Sequence, residues 1–214
     1  MRTYEEQLDQ SFDDLLQEVD AYFMETGKLH STLADLTRRL EATDIPYAVL
    51  GAIALGRHGY RRMTVDIDLL LTPEGLAQFR ERYLGRGYVP AFPGAGKSFR
   101  ATDTGVRVDV ITTGEYPGDG LPKPVVFPHP AEVSVEMAGV RVVTLEKLLE
   151  LKLASGMTAP HRLRDLADVQ DTIRVLRLPQ DLAERLDPSV RPVYLDLWQK
   201  AQTPDPRAHE RDAS

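Results

Sequence analysis

The chain has no cysteine, which excludes disulfides, a cysteine nucleophile and thiolate metal sites. It also lacks an apolar run near the roughly 20 residues that cross a bilayer. The longest such run, Tyr47 to Gly56, is broken by two glycines. The opening residues, Met1-Arg2-Thr3-Tyr4-Glu5-Glu6, lack the apolar segment of a secretory signal, so no membrane partner and a cytoplasmic location are the expectation. The five histidines, His30, His58, His129, His161 and His209, are scattered without metal-ligand spacing. There is no internal repeat and no low-complexity tract. Nor is there an excess of positive charge. The net charge is −7, which argues against a protein that coats duplex nucleic acid. Residues 1–20 hold seven acidic side chains against Arg2 alone, so the rest of the chain is nearly neutral. A local basic cluster, Arg57, His58, Arg61 and Arg62, leaves room for an anion site or for an RNA end held at one point.

What is present suffices for a packed core. Hydrophobic residues make up 42% of the 214 and charged residues 28%, ordinary values for one to one and a half globular domains. Leu8, Phe12, Leu15, Leu16, Val19 and Phe23 recur with helical period, so residues 1–30 read as an acidic helical extension. Residues 31–143 read as a mixed α/β core. Ser31 or Thr32 caps a helix bearing Leu33, Leu36 and Leu40. Tyr47 to Leu50 is a short buried strand, and residues 52–58 a short helix. Val65 to Thr72 alternates as a strand, and Pro73 opens a helix to about Leu84. Residues 88–112 are strands, the last from Val106 to Thr112. Five prolines and three glycines make residues 114–130 a loop, read as a connection within one fold. Residues 132–143 form a hairpin. Residues 144–202 are helical and pack on the core, with Thr144 capping a helix to Ser155 that Gly156 stops. Residues 203–214 are a disordered tail.

The chemistry centres on Asp66 and Asp68. Carboxylates at i and i+2 of a strand share a face, about 6–7 Å apart. The apolar neighbours Val65, Ile67, Leu69, Leu70 and Leu71 make that strand central, where a charge pair is costly unless neutralised. A hard divalent cation would neutralise it; a solvent-facing sheet would merely tolerate it. Upstream, with fourteen residues between it and Asp66, Gly51 ends a strand and begins a helix, a turn that lets backbone approach a phosphate. Arg62 and Thr64 lie just before the carboxylates and offer donors to phosphate oxygens. A third carboxylate, Asp109, alternates with Val106, Val108 and Val110 on a later strand. Three carboxylates from two strands can hold two Mg²⁺ ions for phosphoryl or nucleotidyl transfer. In the C-terminal part, Leu145, Leu148, Leu149 and Lys152 share a helix face, so Lys152 needs a partner. That partner is a nucleotide phosphate or, alternatively, Asp165 or Asp168, which sit one helical turn apart.

These residues, Leu50-Gly51-Ala52-Ile53-Ala54-Leu55 with Thr64-Val65-Asp66-Ile67-Asp68-Leu69 and the later Asp109, resemble the nucleotidyltransferase fold superfamily. Together with Lys152 and Arg164-Asp165-Leu166-Ala167-Asp168 they are most similar to AbiEii-like nucleotidyltransferases, which include toxins of toxin–antitoxin pairs. The resemblance covers roughly residues 45–175. It implies a mixed sheet flanked by helices, and Mg²⁺-dependent transfer of a nucleoside monophosphate from an NTP to a hydroxyl. An RNA end, such as that of tRNA, is an acceptor, and an antitoxin protein a partner. It further implies that Asp66, Asp68 and Asp109 are catalytic and hold the metal. Gly51, Ala52, Arg62, Thr64 and Lys152 bind the nucleotide, Lys152 also stabilising the departing pyrophosphate. Asp165 and Asp168 support Lys152. Ala52 departs from the usual Gly-Gly or Gly-Ser at the turn: it keeps the backbone N–H but lacks the serine hydroxyl. Two rival readings stay open. One is a non-catalytic module that binds a nucleotide or a protein. The other is an enzyme that nucleotidylates a small molecule or a protein.

Weaker signals point elsewhere. Gly94-Ala95-Gly96-Lys97-Ser98 ends like a phosphate-binding loop, but Ala91 stands where its first glycine belongs and no long helix follows. A turn between strands is the reading, with Lys97 or Arg100 near substrate. Trp198 reads as helix packing, and His58 as a surface residue.

Overall fold

In the computed structural model, residues 27–203 are described, together with Thr3, Val19 and Ala21. The acidic helix over 5–26 and the tail beyond 203 lie outside the described residues. Two compact units divide the chain: the first takes residues up to Glu115 and Phe127–Thr144, the second Tyr116–Val126 and the residues from Leu145 on.

In the first unit, α1 (Lys28–Glu41) begins at Gly27 rather than at Ser31 or Thr32. The Thr32 hydroxyl donates back to the Lys28 carbonyl at 2.8 Å, so it serves the helix interior and caps nothing. Leu29, Leu33, Leu36 and Leu40 are buried, the face that the spacing of Leu33, Leu36 and Leu40 predicts. The chain continues through β1 (Tyr47–Val49), α2 (Gly51–Arg57), β2 (Asp66–Leu71) and α3 (Pro73–Tyr83). Thr72 caps α3, its hydroxyl accepting from the Gly75 N–H at 2.9 Å, and Pro73 supplies the preset backbone angle of a first helical residue. Then follow β3 (Tyr88–Pro90), β4 (Ser98–Ala101), β5 (Arg107–Thr112), the short α4 (Pro130–Val133), β6 (Ser134–Met137) and β7 (Val140–Val143). The hairpin of β6 and β7 is present, but Pro130 turns its expected first residues into α4. Residues 91–97 connect β3 to β4 as a turn, so the glycines there are not a phosphate loop.

Among the described residues, seven strands form one sheet in the order β3-β4-β5-β2-β1-β7-β6. The pairs β2–β5 and β1–β7 are parallel; the other neighbours are antiparallel. The centre holds the most apolar strands, with Ile67, Leu69, Leu70, Leu71, Val108 and Val110 buried. Phe79 of α3 packs edge-on against Tyr88 of β3 and tilted against Phe99 of β4, each at a centroid distance of 5.2 Å. The edges are β3, which ends on Pro90, and the four-residue β6.

The second unit holds α5 (Leu145–Thr158), a 3₁₀ turn at Pro160–Arg162, α6 (Leu163–Leu176), a 3₁₀ segment at Gln180–Arg185 and α7 (Arg191–Ala201). Gly156 does not stop α5, which runs on to Thr158. A Cβ at Gly156 would lie 2.5 Å from Leu166 Cγ, so the glycine serves the close packing of α5 on α6. Trp198 donates from its indole N–H to the Leu178 carbonyl at 2.9 Å, a packing role. Glu150 is buried and accepts from the Asp187 N–H at 2.8 Å and from Lys147.

Three buried phenols tie the fold to alkaline pH. Burial raises Tyr47 to about 12, helped by its hydrogen bond to Glu41, and raises Tyr194 to about 12. Burial also pushes Tyr88 well above its ordinary value. A raised folded-state pKa contributes stability that is complete below pH 10 and is lost as pH rises through the folded value. Phenolate absorbance is therefore expected to show at least three of the eight tyrosines ionising only as circular dichroism is lost. Titration of all eight near pH 10 with the fold intact would refute this.

Candidate functional site

The polar face of the central strands is set by register. On β2, Asp66 and Asp68 alternate with the buried Ile67 and Leu69; on β5, Arg107 and Asp109 alternate with the buried Val108 and Val110. Asp68 pairs with Asp109, and Asp66 with Arg107. On the other side of β5, Ser98 pairs with Asp109 and Arg100 with Arg107. Two rows thus cross three strands. One runs Ser98, Asp109, Asp68 and the other Arg100, Arg107, Asp66, with neighbouring strands about 4.8 Å apart.

Each carboxylate has a distinct setting. Asp66 accepts from the Thr64 hydroxyl at 2.6 Å and from Arg107 Nη2 at 2.8 Å, so both of its oxygens are engaged. Asp109 accepts from the Ser98 hydroxyl at 2.5 Å and pairs with Arg107 Nε at 3.0 Å. Asp68 lies against the turn between β1 and α2. Its backbone carbonyl accepts from the Leu50 N–H at 2.9 Å, and its carboxylate faces Gly51. Gly51 has φ +65, and a Cβ there would fall 2.0 Å from Asp68 Oδ2. This glycine is required twice over, by backbone angle and by contact.

Arg107 and Ser98 are the site residues that sequence reasoning missed. The signal for Arg107 was available: it sits two residues before Asp109 on the same strand and therefore on the same face. The remaining candidates are placed as follows. Ala52 is buried in α2. Arg62 donates to the Met63 carbonyl at 3.2 Å. Lys97 donates to the Thr112 hydroxyl at 2.8 Å and pairs with Glu115. Arg100 donates to the Gly105 carbonyl at 3.1 Å. His58 is not a free surface residue: its Nε2 lies 2.8 Å from the Val143 carbonyl on β7.

Lys152 lies in the second unit. Its ammonium donates to Asp165 Oδ1 and to Asp168 Oδ2, each at 2.8 Å. Asp165 also accepts from Ser155 at 2.7 Å. This buried network holds the lysine between both carboxylates one helical turn apart on α6.

The donor set on β2 and β5 matches a hard divalent cation in kind, being carboxylates and hydroxyls, and Asp68 and Asp109 are in register. Among the described residues, however, no three His, Cys, Asp or Glu side chains converge as metal ligands do. The Arg107 guanidinium forms ion pairs with both Asp66 and Asp109, at 2.8 and 3.0 Å.

No protein-family model matches the chain, and no curated protein matches it. Solved structures do match. An antigenic nucleotidyltransferase-like protein from Paracoccidioides brasiliensis is 15% identical, with 79% of this chain and 87% of that chain covered at a TM-score of 0.50. A protein from Thermotoga maritima, a nucleotidyltransferase by designation, is 17% identical over 66% of this chain and 91% of its own, at a TM-score of 0.46. ANT(2″)-Ia in complex with adenylyl-2″-tobramycin is 16% identical over 75% of this chain and 91% of its own, at 0.46. At such identities the likeness is one of fold. The chain is a mixed α/β protein whose seven-stranded sheet, flanked by helices, has the nucleotidyltransferase-like architecture.

Proposed function

We propose that the face formed by β2 and β5 binds a nucleoside triphosphate and transfers its nucleoside monophosphate group to a hydroxyl. The observation that carries this reading is the in-register pairing of Asp68 with Asp109, with the Gly51 turn packed on the Asp68 carboxylate. Asp66, Asp68 and Asp109 would hold Mg²⁺, two ions by the resemblance. Bound there, the metal would neutralise phosphate charge and make the α-phosphorus a better electrophile. The backbone N–H groups of Gly51 and Ala52 line the phosphates, with donors from Arg62 and Thr64. Asp109, steadied by Ser98, accepts the proton of the acceptor hydroxyl. The hydroxyl oxygen bonds to the α-phosphorus, and pyrophosphate leaves with the electrons of the broken bond. The resemblance to AbiEii-like toxins makes an RNA end such as that of tRNA the first acceptor to try, and an antitoxin the first partner. A small molecule or a protein side chain is the competing acceptor.

One observation favours a second reading, a nucleotide- or protein-binding module without catalysis. Arg107 already donates to Asp66 and forms an ion pair with Asp109, while Ala52 replaces the hydroxyl-bearing or smaller residue of the usual turn.

Calorimetric titration with each of the four NTPs, in Mg²⁺ and in EDTA, tests the proposal. Magnesium-dependent binding is expected for the unmodified protein. Asp68→Asn is expected to lose that binding while keeping or raising its melting temperature, because it removes repulsion from Asp109. Unchanged NTP affinity in Asp68→Asn would overturn the site assignment. Absence of binding in every condition would leave the binding of a protein partner as the reading.

A further inference from the structure

We propose that Arg107 is an internal cation that competes with the divalent metal for Asp66 and Asp109, so that the carboxylates are closed to the ion until Arg107 is drawn away. The proposal rests on the nucleotide-site reading given above and adds to it how access to that site is governed.

The geometry is specific. Arg107 reaches across the strand pair to Asp66 through Nη2 at 2.8 Å and along its own strand to Asp109 through Nε at 3.0 Å. The two contacts use Nε and Nη2, the two nitrogens of one edge of the planar guanidinium, so that a single edge is shared between two carboxylates. Asp66 keeps no free oxygen, since Thr64 takes the other. Asp109 accepts from Ser98 through Oδ1 and meets Arg107 through Oδ2 as an ion pair. The register places Arg107 directly beside Asp66, so the contact follows from strand pairing and needs no unusual backbone.

Charge gives the direction of the effect. Asp66, Asp68 and Asp109 with Arg107 among them sum to −2; without Arg107 they sum to −3. A divalent ion entering beside the guanidinium meets a weaker attraction and a like charge a few ångströms away. A triphosphate changes the balance, because its oxygens accept two parallel guanidinium bonds as well as a carboxylate does. Arg107, with 35% of its side chain exposed, can turn toward such a ligand, leaving Asp66 and Asp109 to the metal that accompanies the nucleotide. Metal and nucleotide are then expected to bind as a couple, each poorly alone.

The test measures free Mn²⁺ affinity by electron paramagnetic resonance, without nucleotide and without reference to activity. Arg107→Gln is expected to bind Mn²⁺ about tenfold or more tightly than the unmodified protein, from loss of the competing charge. Arg107→Lys, which keeps the charge, is expected to stay close to the unmodified value. On the unmodified protein, Mg²⁺ titration is expected to shift the arginine Nε–H nuclear magnetic resonance that is missing from Arg107→Lys. This measurement needs no variant that binds metal. If Arg107 instead props the carboxylates in place for the ion, Arg107→Gln binds Mn²⁺ more weakly, and the proposal fails. Equal affinity, or an unmoved Nε–H signal at saturating Mg²⁺, also overturns it. Mn²⁺-ATP binding by the unmodified protein alongside either failure leaves the nucleotide-site reading standing. Absence of Mn²⁺ and Mn²⁺-ATP binding in all three proteins removes both.

Discussion

Gly51→Ala is expected to abolish nucleotide binding while costing the fold only about 1–3 kcal/mol. Two effects add at this one methyl group. Alanine at φ +65 sits in the left-handed region, which disfavours any side chain by about 1–2 kcal/mol. The new Cβ would also stand 2.0 Å from Asp68 Oδ2, 3.0 Å from its Cγ and 3.3 Å from its Cβ. The whole carboxyl group must therefore swing, since moving one oxygen relieves only the shortest contact. Stability responds modestly because Asp68 is partly exposed and can rotate toward solvent. Function responds strongly because the rotation takes Asp68 out of register with Asp109. Paired thermal melts and NTP calorimetry check this. Lost binding with a melting temperature within a few degrees of the unmodified protein is the expected pattern. Retained binding would mean that Asp68 does not belong to the site.

The second large effect is expected in the other unit. Lys152→Met is expected to destabilise the protein by about 3–5 kcal/mol, the cost of breaking a buried ion pair by removing one partner. The side chains of Lys152, Asp165 and Asp168 are 9%, 14% and 3% exposed, so solvent screens little. Removing the ammonium leaves two carboxylates facing each other across one turn of α6, neither of them able to reach water freely. The chain's single tryptophan, Trp198, is bonded within this unit, so its fluorescence reports the melting directly. A fall in melting temperature on the order of 10 °C is expected. The triple change Lys152→Met with Asp165→Asn and Asp168→Asn is expected to recover much of the loss, because buried charges replaced together cost far less than one left alone. A Lys152→Met protein that melts like the unmodified one would show that the network contributes nothing to folding.

The parts of this molecule that were legible in the sequence are those where a short-range rule and the tertiary environment agree. The first half of β2 alternates because Ile67 and Leu69 face the core while Asp66 and Asp68 do not, before Leu70 and Leu71 bury both faces; the same alternation marked Asp109 on β5. Proline at 73 announced the start of α3. The periodicity of Leu145 to Lys152 correctly placed a lysine among apolar residues. Illegible features depend on which strands become neighbours. Alternation alone puts Arg107 on the face of Asp109, but its place beside Asp66 appears only when β2 pairs with β5 in parallel. Ser98, first noticed for its resemblance to a phosphate loop, matters because β4 lies antiparallel to β5. Gly156 has the look of a helix stop, since a glycine near the end of a helical pattern is a candidate C-cap. Only the approach of Leu166 explains why the helix continues through it. His58 likewise gains its partner from β7, some eighty positions away.

The edges of the sheet bear on how this protein behaves at high concentration. An open edge strand is a template on which a second chain can add its own strand through main-chain hydrogen bonds. Here one edge, β3, is three residues long and ends on Pro90, which has no N–H to offer. The other, β6, is four residues long and carries Glu136 in its exposed middle. Neither presents the five or six consecutive residues of an average strand. The apolar strands that would polymerise most readily are β1, β2 and β5, and all three lie inside the sheet. Fibre growth by strand addition is thus confined to molecules whose sheet has first come apart.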